Sequence, residues 1–138
     1  MKINKDIIAL IESENSRHCG GFVRKDLGEY LTKISTHAEV LSLYNSDSLL
    51  GFVFFYCNDP NKILCYLSLI CVADSARKTG VGQSLLDYSK QICKSKGFQR
   101  YRLEVLKVNN AAIRFYSKNG FRVVDSSEDS FFMEVELI

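Results

Sequence analysis

The chain has 138 residues, of which 46% are hydrophobic and 25% charged, a composition that fits one water-soluble globular domain spanning residues 1–138. A net charge of +2 is too weak for a nucleic-acid binder, and no basic stripe is interleaved with aromatics. No apolar run reaches the roughly 18 residues of a membrane span, and the opening "MKINKDIIALIESENS" carries acids where a signal peptide has an apolar stretch, so a cytoplasmic protein is expected.

Helical spacing of Ile7, Ile8, Leu10 and Ile11 predicts a helix over 3–14 capped by Asn4, and Leu27, Tyr30, Leu31 and Ile34 predict a second over 24–35. "AEVLSLY" and "SLLGFVFFYC" read as two strands joined by the turn "NSD". "NDPNK" then leads into a third strand, "ILCYLSLICVA". Helical periodicity returns over 81–96 through Val81, Leu85, Leu86, Tyr88, Ile92 and Cys93, and Gly97 ends it. "RYRLEVL" is a strand and 109–118 a short helix opened by Asn109. "FRVVD" and "SFFMEVEL" are strands around the polar turn "SSED". The order α-α-β-β-β-α-β-α-β-β, hairpins first and crossovers later, predicts an α/β (α+β) fold: a mixed sheet with helices on both faces.

Five cysteines (19, 57, 65, 71, 93) make an odd count, none in a C-x-x-C pair, and the two histidines both precede residue 40. Reduced, mostly buried thiols are expected, and no metal.

The stretch "ARKTGVGQSLL", residues 76–86, carries the chemistry. A strand ending near Val72 feeds a loop, and the loop feeds a helix N-terminus at Gly80, where the first backbone N–H groups lack partners and the helix dipole is positive. Gly80 and Gly82 let a ligand approach the backbone, and Arg77 and Lys78 add positive charge, a pattern suited to phosphate or pyrophosphate. No G-x-x-x-x-G-K-[ST] string exists. "GVGQSL" puts Leu85 where a dinucleotide fingerprint needs its third glycine, although Glu104 lies about 20 residues on, where a ribose-binding acid would be. The boxes "SARK" and "KTG" would both need Lys78, so a penicillin-binding-protein reading fails.

"VADSARKTGVG" resembles the acyl-CoA signature of the GNAT (GCN5-related) N-acetyltransferase superfamily, a strand ending in valine followed by [QR]-x-x-G-x-[GA] at a helix start. "LEVLKVNNAAIRFYSKNGF", 103–121, resembles that family's second motif, in the family's order and separation. The resemblance covers residues 48–137 well and the first 47 less. It implies a mostly antiparallel central sheet whose first strand is here short or absent. It also implies acetyl-CoA as donor substrate and an amine as acceptor, with no metal, nucleic acid or membrane partner, in a monomer or homodimer. Carried over to this chain, it implies that the backbone of Ile70, Cys71 and Val72 meets the pantetheine arm and acetyl carbonyl. The amides of Lys78, Thr79, Gly80, Val81, Gly82 and Gln83, beside Arg77, would hold the pyrophosphate. Asn109 would contact the pantetheine, and Tyr116 would stand beside the cofactor sulfur as general acid.

Glu104 is the candidate base. Tyr101, Leu103 and Val105 share one face of their strand, so Glu104 points to the other. Its position, twelve before Tyr116, also resembles that of the base in family members that acetylate protein N-termini. Each candidate has a duller reading: Tyr116 as a packed aromatic, Asn109 as a helix cap only, Glu104 as a solvated residue paired with Arg102 or Lys107, Arg77 and Lys78 as surface charge. The acceptor would enter near 16–23, with Gly20 and Gly21 as lid, near 52–56, and near 126–132, where Glu128 and Asp129 could attract a cation. A small amine such as an amino sugar or amino acid is expected first. A peptide or protein α-amine, or a noncatalytic CoA-binding module, is the alternative.

Overall fold

The computed structural model describes residues 3–17 and 26–137, without the side chains of residues 16 and 17. The elements are α1 (Lys5–Arg17), α2 (Leu27–His37), β1 (Glu39–Asn45), β2 (Ser48–Tyr56), β3 (Leu64–Val72), a short 3-10 turn (Asp74–Ala76), α3 (Val81–Ser95), β4 (Arg100–Leu106), α4 (Asn110–Lys118), β5 (Arg122–Ser126) and β6 (Ser130–Glu136). The element order read from the sequence is found unchanged. The strands lie in the order β1-β2-β3-β4-β6-β5, a mostly antiparallel mixed sheet flanked by helices, in which β3 and β4 pair parallel. Among the described residues no strand precedes α1, and no helix is long and apolar enough to cross a membrane. Gly20 and Gly21 lie outside the described residues.

Two compact units are formed, Met1–Phe55 with Leu69–Ser89 and Tyr56–Ser68 with Lys90–Ile138. In the first, Asn4 caps α1 by accepting the Ile7 N–H at 3.0 Å, and Asp26 caps α2 by accepting the Glu29 N–H at 2.9 Å. Ile7, Ile11 and Ile34 are fully buried, as are Phe52 to Phe55; Phe52 and Phe54 stack with ring centroids 4.7 Å apart. A run buried on both strand faces explains why β2 reads as continuous rather than alternating hydrophobicity. β1 pairs antiparallel with β2 around a tight turn in which Ser46 takes a φ of 54°.

Gly51 has a packing reason. A Cβ placed there would lie 2.7 Å from the Cys71 carbonyl oxygen, 3.1 Å from Leu85 Cδ1 and 3.2 Å from Val81 Cγ1. Only a residue without a side chain lets β2 come this close to the end of β3 and the start of α3.

In the second unit Tyr101, Leu103 and Val105 are buried on one face of β4. β4 pairs antiparallel with β6 along seven register positions, from Arg100 opposite Glu136 to Leu106 opposite Ser130. α3 ends in a left-handed Gly97 (φ 90°), with the Phe98 N–H returning to the Cys93 carbonyl at 3.1 Å.

One placement differs from expectation. Tyr88 is 51% exposed, and Ser89 takes its place in the buried stripe with Leu85, Leu86 and Cys93. Four-residue spacing brings 85, 89 and 93 to one face, and the Ser89 hydroxyl is satisfied locally by donating to the Leu86 carbonyl at 2.9 Å.

Candidate acyl-transfer site

The phosphate-type loop lies wholly in the first unit. β3 ends at Val72, and the Ala73 N–H donates to the Leu50 carbonyl at 2.8 Å, fixing where the chain leaves the sheet. The 3-10 turn closes with Ala76 N–H to Ala73 O at 2.9 Å and Arg77 N–H to Asp74 O at 3.3 Å. Lys78 then takes a left-handed φ of 62° and Gly80 one of 88°, with the Thr79 hydroxyl donating to the Ala76 carbonyl between them. Left-handed residues alternating with ordinary ones turn successive N–H groups toward one side, the concave arrangement that binds anions. The ladder of α3 begins with Ser84 N–H to Gly80 O at 3.0 Å, so the amides of Gly80, Val81 and Gly82 precede its first bond. Beyond Gly80 itself and its two chain neighbours, no described heavy atom lies within 4 Å of where a Gly80 Cβ would be. The approach to this backbone is therefore open.

Arg77 does something the sequence did not announce. Its guanidinium sits 2.6 Å from the buried Glu14 carboxylate of α1 and 3.0 Å from Asp74. It therefore braces the loop against α1, and its charge is already matched by two carboxylates. Lys78 is exposed, and the Gln83 amide donates to Asp87 at 3.0 Å. No signal in the sequence links Glu14 to a residue 63 positions away.

The second unit holds Glu104, Asn109 and Tyr116. Glu104 is exposed on the face of β4 opposite the buried stripe, level with Phe132 of β6. The cations that would tie it up as a surface pair are engaged elsewhere. Arg102 Nε lies 2.9 Å from Glu134, with its guanidinium 5.7 Å over the Phe132 ring, and Lys107 sits 5.3 Å over Phe131. Burial, together with the charge of Glu104, raises the pKa of Tyr66. Asn109 does cap α4, its Oδ1 accepting the Ala112 N–H at 3.1 Å; its amide N–H groups are not spent in that bond. Tyr116 is buried against Phe115 and Phe121, with ring centroids 5.4 and 5.6 Å away, and burial drives its hydroxyl pKa well above the ordinary tyrosine value. At neutral pH this phenol is protonated, as an ordinary tyrosine also is, and so has a proton to give.

Comparison with known proteins identifies the family. The family model "Acetyltransferase (GNAT) family" matches residues 7–121. The chain belongs to the GNAT acetyltransferase family. Among curated relatives, "Spermidine N(1)-acetyltransferase" of Thermoplasma acidophilum is 41% identical over 113 residues, spanning 74% of this chain and 70% of that one. This chain covers from 20% to 70% of the length of the relatives it matches. Two solved structures share the fold. A GNAT-family acetyltransferase from Staphylococcus aureus Mu50 superposes with a TM-score of 0.81 at 21% identity, over 100% of this chain and 98% of that one. The PaiA N-acetyltransferase of Thermoplasma acidophilum, solved with coenzyme A, gives 0.68 at 24% identity over 97% and 80%. The GNAT fold expected from the two motifs is thus found. Gly51, the left-handed Lys78 and the Arg77–Glu14 brace were not foreseen. Of these only Gly51 left a trace, as an isolated glycine inside an apolar strand.

Proposed function

We propose that this GNAT protein transfers the acetyl group of acetyl-CoA to the primary amine of a small molecule, a polyamine or comparable cationic amine, by direct attack. The observation that carries the reading is the loop of residues 77–83, whose two left-handed positions present backbone N–H groups at the start of α3. The 41% identity to a spermidine acetyltransferase supports the acceptor class, as do the exposed acids Glu128 and Asp129 in the β5–β6 turn.

The roles divide by chemistry. The amides from Lys78 to Gln83 bind the pyrophosphate, and the backbone of Ile70, Cys71 and Val72, with Asn109, aligns the pantetheine. An N–H near Val72 polarises the thioester carbonyl. Glu104, directly or through water, accepts the proton that an ammonium must lose before it can attack. Tyr116 delivers a proton to the departing sulfur, so amine plus thioester becomes amide plus free CoA thiol. Holding both reactants together supplies much of the acceleration, with no covalent enzyme intermediate.

A peptide α-amine is the second reading, favoured by the exposed Glu104 twelve residues before Tyr116. Free-thiol release measured across polyamines, amino sugars, amino acids and N-terminal peptides tests both. Turnover confined to small amines is expected. Turnover confined to peptides selects the second reading, and acetyl-CoA binding with no turnover on any class supports a noncatalytic module.

A further inference from the structure

Three cysteines distant in sequence converge in the second unit. Cys57 follows β2, Cys65 lies in β3 and Cys93 in the last turns of α3. The Cys57 sulfur is 3.4 Å from that of Cys65 and 3.5 Å from that of Cys93, and all three lie within 4.8 Å of one another. None is in a disulfide; Cys65 and Cys93 are buried, whereas Cys57 is half-buried and gives the cluster a face to solvent.

Isolated buried thiols need no explanation beyond packing, but three sulfurs meeting from three elements form a donor set. The point equidistant from them lies about 2.0 Å from each if the third edge equals the other two, and about 2.4 Å at the 4.8 Å limit, against a Zn–S bond of about 2.3 Å.

We propose that Cys57, Cys65 and Cys93 form a three-thiolate site for a thiophilic closed-shell divalent cation of the zinc class, with its fourth position open to solvent beside Cys57. Binding is a proton exchange with no redox step. The ion displaces the protons of the three thiols to solvent as their sulfurs become thiolates, leaving one net negative charge on the site. The ion ties the end of β2 and the start of β3 to the end of α3.

The test is titration of the fully reduced chain with Cd2+ under argon, followed by thiolate-to-metal charge-transfer absorbance, with Zn2+ as competitor. One equivalent is expected to bind, with affinity falling at least roughly 100-fold in Cys57→Ser, more than outer-shell changes cost, and holding in Cys71→Ser. A second readout needs no variant: in the native protein one equivalent of Cd2+ should block alkylation of Cys57, mapped by mass spectrometry. Absence of saturable binding, equal binding by Cys57→Ser, or alkylation of Cys57 undiminished by Cd2+ would each overturn the proposal.

Discussion

Gly51→Ala tests the packing that sets the geometry of the phosphate loop. The new methyl carbon would sit 2.7 Å from the Cys71 carbonyl oxygen, a distance that real Cβ contacts do not reach. The obstruction is backbone, so the strands must part by several tenths of an ångström, while Leu85 and Val81 at 3.1 and 3.2 Å leave little room on the other sides. Overpacking of this kind costs about 1–3 kcal/mol, and the reduced freedom of the unfolded chain returns about 0.4–1 kcal/mol. The expected net loss is about 1–2 kcal/mol, a fall in Tm of about 3–8 °C for a chain of this size. Calorimetric melting beside Gly82→Ala is the assay. At Gly82 the added carbon meets only Val72 Cγ2, at 3.5 Å, so that variant should melt at or above wild type. A Gly51→Ala protein as stable as wild type would mean that β2 and β3 are not in the contact described. Weakened acetyl-CoA binding should accompany the loss, since the displaced carbonyl belongs to the strand proposed to hold the pantetheine.

Other outcomes follow from the same structure. Tyr116→Phe should lower kcat about 100-fold or more, the scale of a lost general acid, while acetyl-CoA binding measured by calorimetry stays within a few-fold; an unchanged kcat would remove Tyr116 from the chemistry. Tyr116 also links stability to alkaline pH. Its folded pKa lies above the unfolded value near 10.0, so its contribution is intact below pH 10 and is lost as pH rises beyond it; denaturant unfolding of Tyr116→Phe should show a shallower alkaline decline. Glu104→Gln should cut kcat/KM most near neutral pH and recover toward high pH, where the amine deprotonates unaided; a pH-independent loss would point to binding instead. Asp59 accepts backbone N–H groups from Asn61, Ile63 and Leu64 at 3.0–3.2 Å, which hold its pKa below the carboxylate norm. Its stabilisation should be present above pH 4 and fade as pH falls through the lowered value, a fade that Asp59→Asn should lack in acid unfolding curves.

The element order was legible because each segment repeats its apolar residues at a helical or strand period. The candidate site was legible where its residues are contiguous, in 70–83 and 103–121. What a linear pattern does not carry is the pairing of distant residues. Glu14 meets Arg77 across 63 positions, and the three sulfurs come from 57, 65 and 93 with no motif spacing between them. Lys78 in a left-handed conformation has no signal either, since lysine has no preference for that region. Tyr88 was misplaced because an amphipathic stripe tolerates one polar member, and the small Ser89 fills the buried position with its hydroxyl satisfied inside the helix.

The most direct measurement is the amide chemical-shift response of the labelled protein to acetyl-CoA. Saturable binding is expected, with the largest shifts at the backbone N–H groups from Lys78 to Gln83. Saturable binding that leaves those amides unmoved, or no binding at all, would contradict it.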